Sequence, residues 1–236
     1  MTTSGTTAFN LDINDIAEEA FERCGQEMHS GYDLRTARRS LNLLTIEWAN
    51  RGINLWTIEQ GSISLIAGTS TYNLPLDTID LLDQVIRTGS AATQTDLTIT
   101  RISETVYSTI PTKNASGRPI QMWINRRSGA NYPSTGSANA QVVLWPVPDQ
   151  NDFYTLVYWR LRRIQDAGSG AIDQDIPFRF LNAMVAGLAY YLSIKLPDVP
   201  PERIAMLKAD YEQQFQFAAE EDREKASLRI VPRMIR

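Results

Sequence analysis

The stretch from Asp175 to Lys195, DIPFRFLNAMVAGLAYYLSIK, constrains this chain more than any other. Asp175 stands two residues before Pro177, an N-cap signal, and the residues after Pro177 are apolar on nearly every side of the helix they would form. A helix without a polar face must be surrounded. The run from Ala183 to Leu192 is only about half of the ~20 residues that a bilayer crossing needs, and Arg179, Asn182 and Lys195 lie close by. The stretch therefore predicts a core helix, not a membrane span. Its small residues Ala183, Ala186, Gly187 and Ala189 let neighbouring helices approach closely, while Phe180, Met184, Leu188 and Leu192 supply bulk at four-residue spacing.

Three other segments have the single apolar stripe needed to cover it. Asp12 or Asn14 can cap a first helix in which Ile13, Ile16, Ala17, Ala20, Phe21 and Cys24 recur at helical spacing, with Gly25 near its end. A second begins near Asp33, carries Leu34, Ala37, Leu41, Leu44 and Trp48 on one stripe, and closes at Gly52. Arg35, Arg38 and Arg39 lie off that stripe and read as a solvated face. Pro200-Pro201 starts a last helix with Ile204, Leu207, Tyr211, Phe215 and Ala218 three or four residues apart.

Between the second and third helices, from Ile53 to about Ile164, the apolar period drops to two and Gly, Pro, Ser and Thr become frequent, which predicts β structure. Ile63 to Ile66, a turn at Ala67 to Ser70, and Thr71 to Leu74 read as a hairpin. Leu81 to Arg87, Leu97 to Ile102, Ile120 to Arg126, Val142 to Trp145 and Phe153 to Ile164 are further strand candidates. In the last, Phe153, Val157, Trp159 and Leu161 are set against Tyr154, Tyr158, Arg160 and Arg162, a buried face against a partly polar one. Ser128 to Ala140 has no charged residue and reads as a finger between strands. The expected fold is thus α+β: an antiparallel four-helix bundle with a β-rich domain inserted between helices two and three, plus an extended C-terminal arm. The corresponding segments are 1–52, 53–165, 166–226 and 227–236.

Composition bears on what such a fold could do. At 236 residues and 43% hydrophobic content the chain can bury a real core. A net charge of -4 argues against a protein built to grip duplex DNA. One cysteine, Cys24, and one histidine, His29, allow neither a disulfide framework nor a Cys/His zinc site within one chain. The N-terminus has no basic region followed by an apolar run, so a chain made and folded in a cytoplasm is expected. No phosphate-binding loop, dinucleotide fingerprint, zinc-protease helix or nucleophile elbow is present. Cys24 sits on an apolar stripe and reads as structural. No cofactor, no metal and no enzymatic activity are expected. Past Ala226 the tail carries Leu228, Ile230, Val231, Met234 and Ile235 with Arg229, Arg233, Arg236 and no acid, a composition suited to an arm ordered on a partner, or to a segment folded back on its own helices.

The β region also carries phrases that point to a family. Tyr72-x-Leu74-Pro75-x-Asp77, then Tyr107-x-x-x-Pro111-x-Lys113 with Gly117-Arg118-Pro119, then Leu144-Trp145-Pro146-x-Pro148-Asp149, and finally Asp175-x-Pro177 resemble, in this order, the head-to-tail adaptor proteins of tailed bacteriophages, also called connector or tail tubular A proteins. The resemblance covers nearly the whole chain. It implies a non-enzymatic ring, commonly of twelve copies, beneath the portal ring of the capsid, in a virion assembled in a bacterial host. The partners it implies are the portal protein and a tail tube or nozzle protein, with no membrane and with DNA passing through unbound. Carried onto this sequence, Leu228, Arg229, Ile230, Val231, Pro232, Arg233, Met234, Ile235 and Arg236 would dock on the portal, and the loop at Asn131, Tyr132, Pro133 and Ser134 would face the tail. Glu220, Glu221, Asp222 and Glu224 are candidate acids for a lumen that DNA must not stick to. A second reading, a single-stranded nucleic-acid-binding module, rests on Arg126, Arg127, Arg160, Arg162 and Arg163 with the aromatics Trp123, Tyr158 and Trp159 as a stacking platform.

Overall fold

The apolar stretch forms a short 3-10 turn at Phe178–Phe180 that leads into helix α4 (Leu181–Ser193), and nearly the whole circumference of α4 is buried. The helices that enclose it precede and follow it in the chain. They are α1 (Ile13–Cys24) and α2 (Gly31–Asn50) before it and α5 (Pro201–Glu221) after it. The computed structural model describes residues 3–7, 9–52, 55–126, 139–169 and 171–222. They divide into two compact units, one of residues up to Leu55 and from Ile164 onward, the other Trp56–Arg163.

Local signals set the helix ends. Asp12 caps α1, its carboxylate accepting from Asp15 N while Asp15 reaches back to the Asp12 amide, and Gly25 ends the helix at φ +80°. Ser30 and Asp33 build the same reciprocal box on α2, which starts two residues before the expected Asp33. Asp175 does not cap the core helix: its carboxylate accepts from Gln165 N at 3.1 Å, and the turn begins at Pro177 without a side-chain cap.

Gly187 explains how closely the covering helices approach. A Cβ there would lie 2.9 Å from both the Leu44 methyls of α2 and the Tyr211 ring of α5. The glycine thus lets α2 and α5 converge on one point of α4, and an aromatic cluster closes around it. Trp48 packs on Phe180 and Phe215 with ring centroids 5.4 and 5.7 Å away. The polar tips are satisfied inside this cluster. Trp48 Nε1 donates to the Tyr211 hydroxyl at 3.0 Å, which donates to Glu47 Oε1 at 3.1 Å, and the Tyr191 hydroxyl donates to Glu47 Oε2 at 2.6 Å. Arg51 pairs with Glu47 and, through two 2.8 Å bonds, with Glu212.

The other unit is built from β1 (Ile58–Ser64), β2 (Thr71–Asn73), β3 (Thr78–Thr88), β4 (Thr95–Thr98), β5 (Thr100–Arg101), a single-turn α3 (Glu104–Ser108), β6 (Gln121–Asn125), β7 (Gln141–Trp145) and β8 (Tyr154–Arg162). One sheet has the order β1-β8-β3-β4 and the other β2-β7-β6-β5, antiparallel except for β5 with β6. Leu81, Ile86, Leu156 and Tyr158 of the first sheet and Tyr72, Met122, Val142 and Leu144 of the second share one core, a β-sandwich-like arrangement.

Several expectations are corrected here. The fold is not an antiparallel four-helix bundle with a β insertion: among the described residues there are five α-helices and two four-stranded sheets, and α1, α2 and α5 pack around α4 as a hub. One-striped helices satisfy a hub as well as a bundle, so periodicity could not separate them. The expected hairpin is a corner between sheets: β1 pairs with β8, β2 pairs with β7, and the Tyr72 hydroxyl ties the bend by accepting from Ile66 N at 2.8 Å. Leu97 to Ile102 likewise splits into β4 in one sheet and β5 in the other. The faces of β8 differ from those expected: Val157 is buried as expected, but Tyr154, Leu156 and Tyr158 lie in the core and Phe153 is exposed. Tyrosine can bury its ring and keep its hydroxyl bonded, so it reads as polar and packs as apolar. Of the expected finger from Ser128 to Ala140, residues 128–138 lie outside the described residues, as does the whole expected arm, 227–236.

Replacing Gly187 by Leu should overpack the junction of α2, α4 and α5 and cost on the order of 1–3 kcal/mol; chemical denaturation measures it, and an unchanged midpoint contradicts the packing. Tyr211→Phe should cost about 1–3 kcal/mol, because it leaves the buried Trp48 Nε1 without its acceptor. A cost indistinguishable from zero would mean that the Trp48–Tyr211–Glu47 chain contributes nothing.

Candidate interaction surfaces

Because Ile13, Ile16, Ala17, Ala20, Phe21 and Cys24 face inward, the residues between them on α1 must face out, and four of those six are acidic. Asp15, Glu18, Glu19 and Glu22 form one wall of a groove of about 1060 Å³ whose floor is Leu181 and Val185 of α4. Phe9 and Leu11, from the segment before α1, and Phe178, from the turn before α4, line the rest. Phe9 is 77% exposed and Phe178 79% exposed, an uncovered aromatic pair beside four carboxylates. Among the described residues Arg23 is the one cation in this lining, and it is engaged by Glu19 at 3.0 Å and Asn182 Oδ1 at 3.2 Å.

The outward face of α2 is its opposite in charge. Tyr32, Arg35, Arg39, Leu43 and Ile46 are exposed at helical spacing. Among the described residues Arg35 and Arg39 have no carboxylate partner, whereas Arg38 turns inward to donate to Ala167 O at 3.3 Å. Lys195 adds charge beside them. Its pKa is lowered, first by burial and then by the nearby Arg39.

The arginines singled out for nucleic acid are placed differently. Arg160 is 9% exposed and donates to Glu59 Oε2 at 2.7 Å, Asp77 Oδ1 at 2.5 Å and Thr78 Oγ1 at 3.0 Å. The Arg160 bonds hold the Asp77 carboxyl below its ordinary value. Arg162 Nε donates to Glu59 Oε1 at 2.6 Å, and Arg126 pairs with Asp80. Tyr158 is buried, and Trp123 stacks on Tyr107 at 5.5 Å. Bases could not stack on Tyr158, and the charges of Arg160, Arg162 and Arg126 are balanced within the unit. Arg127 lies outside the described residues.

Of the remaining positions, Glu220 and Glu221 end α5 and are exposed. Asp222 is buried and paired with Arg179, so its carboxylate faces inward. Glu224, Asn131 to Ser134 and Leu228 to Arg236 lie outside the described residues. Sequence reasoning missed the groove, and it read Arg35, Arg38 and Arg39 of α2 as a solvated face without the exposed apolar residues among them. The signal for that face was present in the apolar Tyr32, Leu43 and Ile46, which alternate with the buried stripe and with Arg35 and Arg39.

In comparison with known proteins, a family model described as SU10 adaptor protein matches residues 7–233. No curated protein matches the chain.

Among the described residues no three of His, Cys, Asp and Glu gather in a way that could hold a metal ion, and no helix is long and apolar enough to cross a membrane. The Cys24 thiol is buried, donates to Ala189 O at 3.2 Å, and is pushed up from 9.0 to about 11 by burial, an effect that Arg203 only partly offsets. A raised folded value means that the unfolded chain loses this proton first. The contribution of Cys24 to stability is therefore complete below pH 9 and should decline as pH climbs toward about 11. At pH 8 a thiol reagent should label Cys24 far more slowly in the folded protein than in urea; equal rates would contradict its burial.

Proposed function

This chain belongs to the SU10 adaptor protein family, a family of phage head-to-tail adaptors, and from that premise we propose that it forms a ring beneath the portal of a tailed phage, joining capsid to tail and lining the DNA exit channel. The observation that carries this reading is the span of the match, 7–233 of 236 residues, which takes in both compact units. A phage adaptor of this family is a virion protein that associates with portal and tail proteins. Its work would be mechanical.

The finer assignments rest on chemistry. Residues 228–236 are apolar and cationic with no acid, and are proposed as the portal-docking arm. The loop at Asn131, Tyr132, Pro133 and Ser134, small and uncharged, is proposed to face the tail. Translocated DNA should slide past its channel, so a net charge of -4 suits a lumen, with the exposed Glu220 and Glu221, and Glu224 after them, as its proposed acids. The nucleic-acid-binding alternative has no such support, since Arg160 and Arg162 already serve Glu59 and Asp77.

Native mass spectrometry of the protein mixed with its portal ring tests the reading directly. Many copies should join one portal, and a chain ending at residue 227 should lose at least about tenfold in portal affinity while keeping its helical content. Undiminished binding by the truncated chain would remove the arm assignment, and indifference of the full chain to the portal would remove the adaptor assignment.

A further inference from the structure

The acidic groove and the basic face of α2 match each other. Glu18 and Glu22 are four residues apart on α1, and Arg35 and Arg39 are four apart on α2, so each pair spans one helical turn, roughly 6 Å along its axis. Two ion pairs could therefore form in register. Each charged pair lies beside apolar surface that none of the described residues covers: Phe9 and Phe178 at the groove, and Tyr32, Leu43 and Ile46, at 67%, 52% and 48% exposure, on α2. Beside the α2 face lies a recess of about 580 Å³ lined by Tyr32, Asp33, Arg39, Leu43, Leu192 and Lys195, so a projecting aromatic side chain would find a concave seat there with two cations and one carboxylate at its wall.

We infer that the acidic groove of α1 and α4 receives the basic, apolar face of α2 from a second copy of this chain. In one copy the two surfaces cannot meet, because α1 and α2 are both held on α4 by their buried stripes. The contact is heterologous, a groove on one copy and a face on the next, and every copy keeps one of each free for a further neighbour. Such head-to-tail contacts close into a ring when the rotation between neighbours permits. This inference deepens the ring reading above and rests on it. Opposite charges placed at equal spacing fix the register, and the aromatic and aliphatic side chains supply the area that leaves water.

The test is charge reversal with complementation, read by sedimentation velocity of the full chain over a concentration series up to the millimolar range. The wild type should self-associate. E18K/E22K and R35E/R39E should each weaken association at least about tenfold, since each would put like charges face to face. An equimolar mixture of the two should recover it, because every contact between unlike copies again joins opposite charges. Circular dichroism checks that both variants fold, and E18Q/E22Q with R35Q/R39Q replace them if a reversal does not. A wild type that stays monomeric, reversals that associate like wild type, or a mixture without recovery would each overturn the contact. Association lost on truncation after residue 222 but retained in R35E/R39E would overturn it too, giving the groove to the chain's own tail. The portal experiment separates the two readings. A non-associating R35E/R39E that still binds the portal would leave the adaptor reading standing, and a self-associating wild type that ignores the portal would remove only that reading.

Discussion

The close approach of three helices at Gly187 is the constraint on which the helical unit depends. With only hydrogen at that position, Leu44 and the Tyr211 ring both pack close against the backbone of α4. Helices so near one another can place Trp48, Phe180, Tyr211 and Phe215 in a single cluster, and burying side chains of that size contributes about 1.5–3 kcal/mol each. Burial brings the polar tips inside as well. The Glu47 carboxylate then becomes the acceptor that Tyr191 and Tyr211 require, and Arg51 balances its charge. Packing comes first in this order of causes, and the hydrogen-bond network makes the packing tolerable.

In the β unit an analogous role falls to irregular pairing in β3. Two register shifts against β8 leave Ile79 and Leu82 as extra residues, both exposed. Leu81 pairs opposite Arg160 and Ile86 opposite Leu156, so the shift between Leu81 and Asp83 lets an odd and an even position of β3 face the same core. A regular strand would have turned one of them outward. At the far end of β8, where the core runs out, Arg160 lies directly opposite Glu59 of β1 and also reaches Asp77. Three strands' worth of backbone are thus joined by one guanidinium at the point where apolar packing no longer can.

What the molecule leaves uncovered fits a protein that works by contact. The helical unit buries its large apolar stripes yet keeps Phe9, Phe178, Tyr32, Leu43 and Ile46 exposed. Exposed aromatic and aliphatic side chains cost solubility, and a chain that keeps several beside charges of both signs, some of them without an ion-pair partner among the described residues, has surfaces to match with something. The family of the chain, phage head-to-tail adaptors, is one in which a protein must hold neighbours on more than one side.

The sequence by itself determined the helices and their inward faces, the β character of the middle segment, and the family. Those are properties of local periodicity, capping and ordered phrases, as in Asp12 before Ile13, Gly25 after Cys24 and Pro201 at the head of α5. It also marked α4 as enclosed, since no arrangement could leave that surface in water. The tertiary structure alone decided that three helices form a hub around the fourth, that Ala67 to Ser70 is a corner between sheets rather than a hairpin, and that Tyr154 and Tyr158 face the core. It also decided that Arg160 and Arg162 serve carboxylates of their own unit, and that an acidic groove and a basic helix face sit on one unit. The reason is the range of the interactions. A helix cap or a stripe is settled within one or two turns of chain, whereas Glu59 and Arg160, or Gly187 and Leu44, are brought together by segments more than a hundred residues apart, and no local pattern records which distant partner a side chain will meet.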